Sequence, residues 1–149
     1  MEELAFRVLL VDDDEDEHFV ISDMLAGTNT SKSHLDWVGT YDDGLRAICQ
    51  SKFDVALIDY RLGEQNGLEL LNQIIDLNVA AILLTGQEEY RVDLESMDAG
   101  ASDYLDKGQL STDILDRSLR YSIKTKHDEL ELKRYRDHLQ KSFWNEPVN

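Results

Sequence analysis

Short runs of consecutive apolar residues alternate along this chain with segments whose apolar residues recur every three or four positions. Val8-Leu9-Leu10-Val11, Val55-Ala56-Leu57-Ile58 and Val79-Ala80-Ala81-Ile82-Leu83-Leu84 are apolar at successive positions, the pattern of strands covered on both faces. Leu35 to Thr40 follows a polar loop, Thr28 to Ser33, and alternates with His34, Asp36 and Thr40, which predicts a strand nearer an edge. Asp103-Tyr104-Leu105 predicts a short fifth strand. Between these runs the spacing is helical. Phe19, Val20, Ile21, Met24 and Leu25 form the apolar side of a first helix, stopped by Gly27. Leu45, Ala47, Ile48 and Cys49 mark a second, capped by Asp42 or Asp43. Leu68, Leu70, Leu71, Ile74 and Ile75 mark a third, after a polar turn. Glu88 to Ala99 predicts a fourth with Val92, Ser96, Met97 and Ala99 inward, closed by Gly100. Ser111 caps a fifth. Five strands alternating with five helices predict an α/β fold, a parallel sheet covered on both faces with right-handed crossovers.

The last helix outruns what such a domain needs. Ile114, Leu115, Leu119 and Ile123 should pack on the sheet, and a more polar periodicity continues through Leu130, Leu132, Tyr135 and Leu139. A helix from Thr112 to Lys141 would be roughly 45 Å long. Its seam shifts between Leu130 and Leu132. The charge changes too: residues 1–123, with 9 Lys and Arg against 26 Asp and Glu, carry −17, and residues 124–149 carry +1. The chain therefore divides into a body, 1–123, and a C-terminal helical extension with a flexible end, 124–149, in which Phe143 to Asn149 should be loose and Trp144 exposed. Two readings of the extension stand: a homodimer through a two-chain helical stalk, or a solvated helix end held by side-chain pairs three or four apart.

Composition narrows the function classes. The 149 residues are 42% hydrophobic, enough for a core. A net charge of −16 disfavours direct DNA binding and anionic membranes and suits cations and basic partner surfaces. The single cysteine, Cys49, excludes an internal disulfide and a cysteine zinc site; it should lie buried on the second helix as a small hydrophobe. The acidic start Met1-Glu2-Glu3 is unlike a signal peptide, and no apolar run is long enough to span a bilayer. The expectation is a reduced, soluble, cytoplasmic protein.

Position then singles out a few side chains. Six consecutive acids, Asp12 to Glu17, suit any helix start, and a lone lysine or threonine after a strand is ordinary. Here, however, Asp12 and Asp13 follow one buried strand, Asp59 another, Thr85 the fourth and Lys107 the fifth. With strand order 2-1-3-4-5 the C-terminal ends of strands 1 and 3 meet at the switch point of the sheet, where such folds place their chemistry. Three carboxylates in one crevice repel each other and raise their own pKa values. A hard divalent cation, Mg²⁺, removes that conflict and with Lys107 leaves the site neutral. Asp59 is then placed as a nucleophile toward phosphorus, with Thr85 and Lys107 able to hold a phosphoryl group.

At this point the chain resembles the receiver domain of two-component response regulators, over residues 5–123. The carriers are Val8-Leu9-Leu10-Val11-Asp12-Asp13-Asp14, Leu57-Ile58-Asp59-Tyr60-Arg61-Leu62 with Gly67-Leu68-Glu69-Leu70-Leu71, Leu84-Thr85-Gly86, and Ala99-Gly100-Ala101-Ser102-Asp103-Tyr104-Leu105-Asp106-Lys107. The resemblance implies a flavodoxin-like sheet of order 2-1-3-4-5. It implies Asp59 as phosphoacceptor, fed by a histidine kinase or phosphotransfer protein, in a phosphorylation-dependent switch that alters binding of a downstream partner. Asp13 would ligate Mg²⁺ directly, Asp12 mainly through water, and the Arg61 backbone carbonyl would add a ligand. Tyr104 would follow Thr85 and couple the site to the face made by the fourth helix, fifth strand and last helix. Arg61 and Gln87, two residues after Asp59 and Thr85, would set the lifetime of the phosphoryl group. Many receivers carry proline where this chain has Gly108, which argues against a fixed cis peptide there.

The activity expected is self-phosphorylation, not turnover of a substrate. Leu119-Arg120-Tyr121-Ser122-Ile123 running into a charged helix also resembles receivers that precede sensor-kinase or cyclic-dinucleotide output domains, so a receiver fragment of such a protein is one alternative. A phosphate-independent interaction module is another; the intact set Asp12, Asp13, Asp59, Thr85 and Lys107 argues against it. A Mg²⁺ phosphatase with an aspartyl intermediate usually needs an acid two residues after the nucleophile, where this chain has Arg61.

Overall fold

The computed structural model describes residues 4–27, 31–86 and 99–145. Five parallel strands form its main sheet: β1 (Leu4–Val11), β2 (Ser31–Val38), β3 (Val55–Asp59), β4 (Ala80–Thr85) and β5 (Asp103–Asp106). Their order is β2-β1-β3-β4-β5, the order expected. The described helices are α1 (Glu15–Ala26), α2 (Tyr41–Gln50), α3 (Gly67–Ile74) and the long α4 (Thr112–Asn145). Gln87 and nearly all of the predicted helix Glu88–Ala99 lie outside the described residues, as does the chain after Asn145.

Strand alternation sorts the apolar runs into two cores. Leu9, Val11, Ala56, Ile58, Ala81 and Leu83 face Ile48 of α2 and Leu70, Leu71 and Ile74 of α3. Val8, Leu10, Val55, Leu57, Ala80, Ile82 and Leu84 face Ile21 and Leu25 of α1 and Leu115 and Leu119 of α4. Every residue of β3 and β4 is buried, which is why those strands read as unbroken apolar runs. The register sets Val11 beside Ile58 and Asp59 beside Leu84, so β1, β3 and β4 release their chains at one edge.

Several expectations need correction. β2 begins at Ser31, inside the predicted polar loop, and ends at Val38 instead of Thr40. It is an edge strand paired to β1 from Leu4↔Ser31 onward, so backbone pairing, not apolar content, holds its first residues. Thr40 caps α2, accepting from the Asp43 N–H at 3.1 Å; Asp42 and Asp43 lie in the first turn. Phe19 and Val20 are exposed, and so are Cys49 and Ile114, because each helix buries a narrower stripe than its apolar content suggests. Ser111 caps α4 as predicted, accepting from the Ile114 N–H at 3.2 Å. α4 runs on through Asn145, beyond the predicted loosening at Phe143. Lys126 is buried and donates from Nζ to the Ile75 carbonyl at 2.8 Å, capping the end of α3 and tying the start of the extension to the body. Among the described residues no helix is long and apolar enough to cross a membrane.

A two-rung hairpin after β3 pairs Arg61 with Asn66 and Leu62 with Gln65, with Gly63 at φ +66°. It delivers Gly67, whose N–H donates to the Tyr60 carbonyl at 2.7 Å. A Cβ there would meet the Asp59 carbonyl at 2.5 Å and Leu83 Cδ1 at 2.8 Å. Gly67→Ala should therefore cost about 1–3 kcal/mol through overpacking. Urea unfolding checks this, and an unchanged midpoint would contradict the close approach of α3 to β3.

Candidate functional site: a carboxylate crevice at the strand ends

The C-terminal ends of β1, β3 and β5 converge on one cluster. Asp12 follows β1 and is fully buried; Asp59 ends β3 and is 7% exposed. Lys107 opens a short 3₁₀ turn after β5. Its ammonium bridges the two acids, 3.0 Å from Asp12 Oδ2 and 3.1 Å from Asp59 Oδ1. Asp12 Oδ1 accepts from the Asp14 N–H at 2.9 Å, and Asp59 Oδ1 also faces the Arg61 N–H at 3.4 Å. Asp13 is exposed, and it brings a carboxylate oxygen within 4.8 Å of oxygens from Asp12 and Asp59. Thr85 is buried at the end of β4, with Oγ1 3.4 Å from the Leu105 carbonyl of β5. Tyr104 is 38% exposed on the same strand.

The electrostatics follow from this crowding. Burial, then the Asp12 charge, pushes the Asp59 pKa up to about 7, against the pull of Lys107 and the Arg61 N–H. Burial works against the Lys107 charge, but hydrogen bonds and attraction from Asp12 and Asp59 outweigh it and raise the lysine pKa. One ammonium thus faces three carboxylates, and the site retains negative charge. That donor set fits a hard divalent cation: oxygen ligands, two of them buried, with an acid that ionises reluctantly without more positive charge. His127, Asp128 and Glu131 also bring ligand atoms within 4.8 Å of one another. All three are exposed on α4, where water relieves the repulsion.

Two contributors escaped the sequence reading. Trp37 of β2 donates from Nε1 to the Asp12 carbonyl at 2.7 Å and stacks on His18, ring centroids 4.5 Å apart and 9° from parallel. It pins the loop that carries Asp12 and Asp13. The alternating pattern of an edge strand gave no sign of this. Glu17 is the second. Burial, outweighing the attraction of Lys107, raises its pKa, with Asp12 and Asp14 adding to the effect. It belongs to the field of the site, not merely to a solvated acidic run.

Fold and cluster together define a doubly wound α/β domain with an acidic crevice at its strand ends. The family model of the response regulator receiver domain matches residues 8–118, and the chain belongs to that family. It is 29% identical over 113 residues to the transcriptional regulatory protein DltR of Streptococcus agalactiae, covering 74% of this chain and 49% of that protein. It is 33% identical over 110 residues to a protein-glutamate methylesterase/protein-glutamine glutaminase of Pseudomonas putida, covering 70% of this chain and 29% of that one. The chain thus spans about half or less of the length of these relatives. In fold it is similar to the signal receiver domain of a putative Luxo repressor protein from Vibrio parahaemolyticus, with a TM-score of 0.74 at 24% identity, covering 87% of this chain and 98% of that one. Receiver domains of two-component systems support phosphorylation-dependent signalling and generally bind Mg²⁺ at this acidic pocket.

The raised pKa of Asp59 has a measurable sign. The folded chain keeps a proton that the unfolded chain releases at the ordinary carboxylate value of 3.8. The contribution of Asp59 to stability is therefore full below that value and lost as pH rises to about 7. In chelator, Asp59→Asn should match the parent chain near the acidic end of this window. It should melt higher than the parent above the window. Thermal melts across the range check this; an Asp59→Asn chain less stable at alkaline pH would contradict it.

Proposed function

We propose that this chain is a phosphorylation-dependent switch in which Asp59 accepts a phosphoryl group from a histidine kinase or phosphotransfer protein. The observation that carries the reading is the buried Asp59 carboxylate, held by Lys107 beside Asp12 and Asp13. Lys107 and the Arg61 N–H occupy Oδ1, which leaves Oδ2 to attack. An O–P bond forms as the P–N bond of a phosphohistidine donor breaks, and the imidazole leaves with the electron pair. Lys107 stays within reach of the new oxygens, and Thr85 offers a hydroxyl to them. Asp12, Asp13, Asp59 and the Arg61 carbonyl would hold Mg²⁺, which supplies charge neutralisation at phosphorus. Side chains of Arg61 and Gln87 set how fast water reaches the aspartyl phosphate.

Readout requires contacts that differ between the two states. Thr85 Oγ1 now faces the Leu105 carbonyl; drawn toward a phosphoryl oxygen, it would release that contact on the strand that carries Tyr104. A downstream protein, or a second copy of the chain, would meet the face formed by Tyr104 and α4. The net charge of −16 supports a protein partner over nucleic acid, and a cytoplasmic setting suits a kinase-fed aspartate. Residues 1–123 would form the receiver and 124–149 its helical extension.

Incubation with Mg²⁺ and acetyl phosphate should add one phosphoryl group, mapped by mass spectrometry to Asp59. Asp59→Asn should abolish the adduct, and Lys107→Ala should let it form but uncouple it from partner binding. An adduct that persists in Asp59→Asn would sink the assignment.

A further inference from the structure

α4 carries two apolar stripes. Leu115 and Leu119 are buried against the sheet; Ser122 and Lys126 are buried on the same side, and Ile123 and Leu130 are half-buried there. Among the described side chains of α4, the large apolar ones left exposed are Ile114, Tyr121, Leu132, Tyr135 and Leu139, from 41% to 61% accessible. All five fall in one heptad frame, with Ile114, Tyr121 and Tyr135 at d and Leu132 and Leu139 at a. At ~100° per residue this stripe runs about a third of a turn away from the buried one. It starts on the body with Ile114 and Tyr121, where the intervening a position, Ser118, is buried and donates to Asp103 Oδ2 at 2.6 Å; Thr125 and Asp128 interrupt it before it resumes at Leu132 in the extension.

We propose that this stripe is the seam along which a second copy of the chain docks, as a parallel, in-register, two-stranded coiled coil. Charge selects the occupant. In the same frame Lys124 and Glu131 take position g, and Glu129 and Arg136 take position e. A parallel partner sets each g residue against the e residue five places on. Lys124 then faces Glu129 of the second copy, and Glu131 faces its Arg136, each pair occurring twice by symmetry. An antiparallel pair centred on Leu132 and Tyr135 would keep Glu129 against Arg136 across the e positions but set Glu131 against His138 and part Lys124 from Glu129, so the parallel pair joins two kinds of complementary contact where the antiparallel pair joins one. The body end of the stripe points the same way. Only the parallel pair lays Tyr121, on the body, against Tyr121 of the second copy. Asp128 occupies a d position and puts two carboxylates into the seam, so the pair is weak and depends on concentration. This deepens the reading of α4 as the readout element and rests on it only for its meaning in signalling.

Sedimentation equilibrium of the unphosphorylated full chain tests the proposal independently of the mapping of Asp59. The mass should rise toward two chains with concentration. Leu132→Glu with Leu139→Glu, both at exposed positions, should hold it at one. Asp128→Leu should tighten the dimer. Glu131→Lys alone should weaken it about tenfold, and Glu131→Lys with Arg136→Glu should restore it, since the swapped pair is again complementary only in the parallel arrangement. In a Cys49→Ser background, Leu139→Cys should form a disulfide-linked dimer under mild oxidation. A single-chain mass at every concentration overturns the proposal. A dimer that the double charge swap fails to restore, or that does not link through position 139, overturns the parallel register.

Discussion

One ammonium holds two buried carboxylates, and the geometry of the domain turns on that contact. The order β2-β1-β3-β4-β5 forces the ends of β1 and β3 together, so Asp12 and Asp59 meet where water is scarce. Like charges in such a place are costly unless a cation sits between them. Lys107 reaches both, at 3.0 and 3.1 Å, from the far side of the sheet. The contact therefore staples β5 to β1 and β3 across β4. It also falls short: a single positive charge leaves Asp59 reluctant to ionise. A site balanced in this way suits a further hard cation of the kind that receiver domains generally bind.

The body was legible because its central strands are buried on both faces. Such strands write themselves as continuous apolar runs, and an acid directly after one stands out. Asp12 and Asp59 stood out for that reason; Lys107 follows the short edge strand β5 and joined them through the strand order 2-1-3-4-5. Edge structure was harder to read. The start of β2 is held by backbone pairing to β1, which leaves no mark on side-chain polarity. Trp37 looked like one more member of an alternating strand, while its indole N–H supports the Asp12 carbonyl; nothing in a linear pattern links positions 12 and 37. Phe19, Val20 and Cys49 had helical spacing but face outward, since periodicity finds a stripe without fixing its width.

The apparent shift of seam between Leu130 and Leu132 has a simple resolution. The two leucines belong to different faces of α4. Leu130 continues the stripe that packs on the body, and Leu132 starts the outer run with Tyr135 and Leu139. Read as one stripe, the extension looked irregular; read as two, each is regular.

Lys126 gives that helix a fulcrum. Its buried ammonium grips the Ile75 carbonyl, and beyond it α4 continues to Asn145, a length of roughly 28 Å. Whatever rocks α4 against α3 is magnified along that length: a tilt of about ten degrees at the fulcrum swings the tip by about 5 Å. A small change in how α4 sits on α3 can in this way become a displacement several times larger at the far end of the helix.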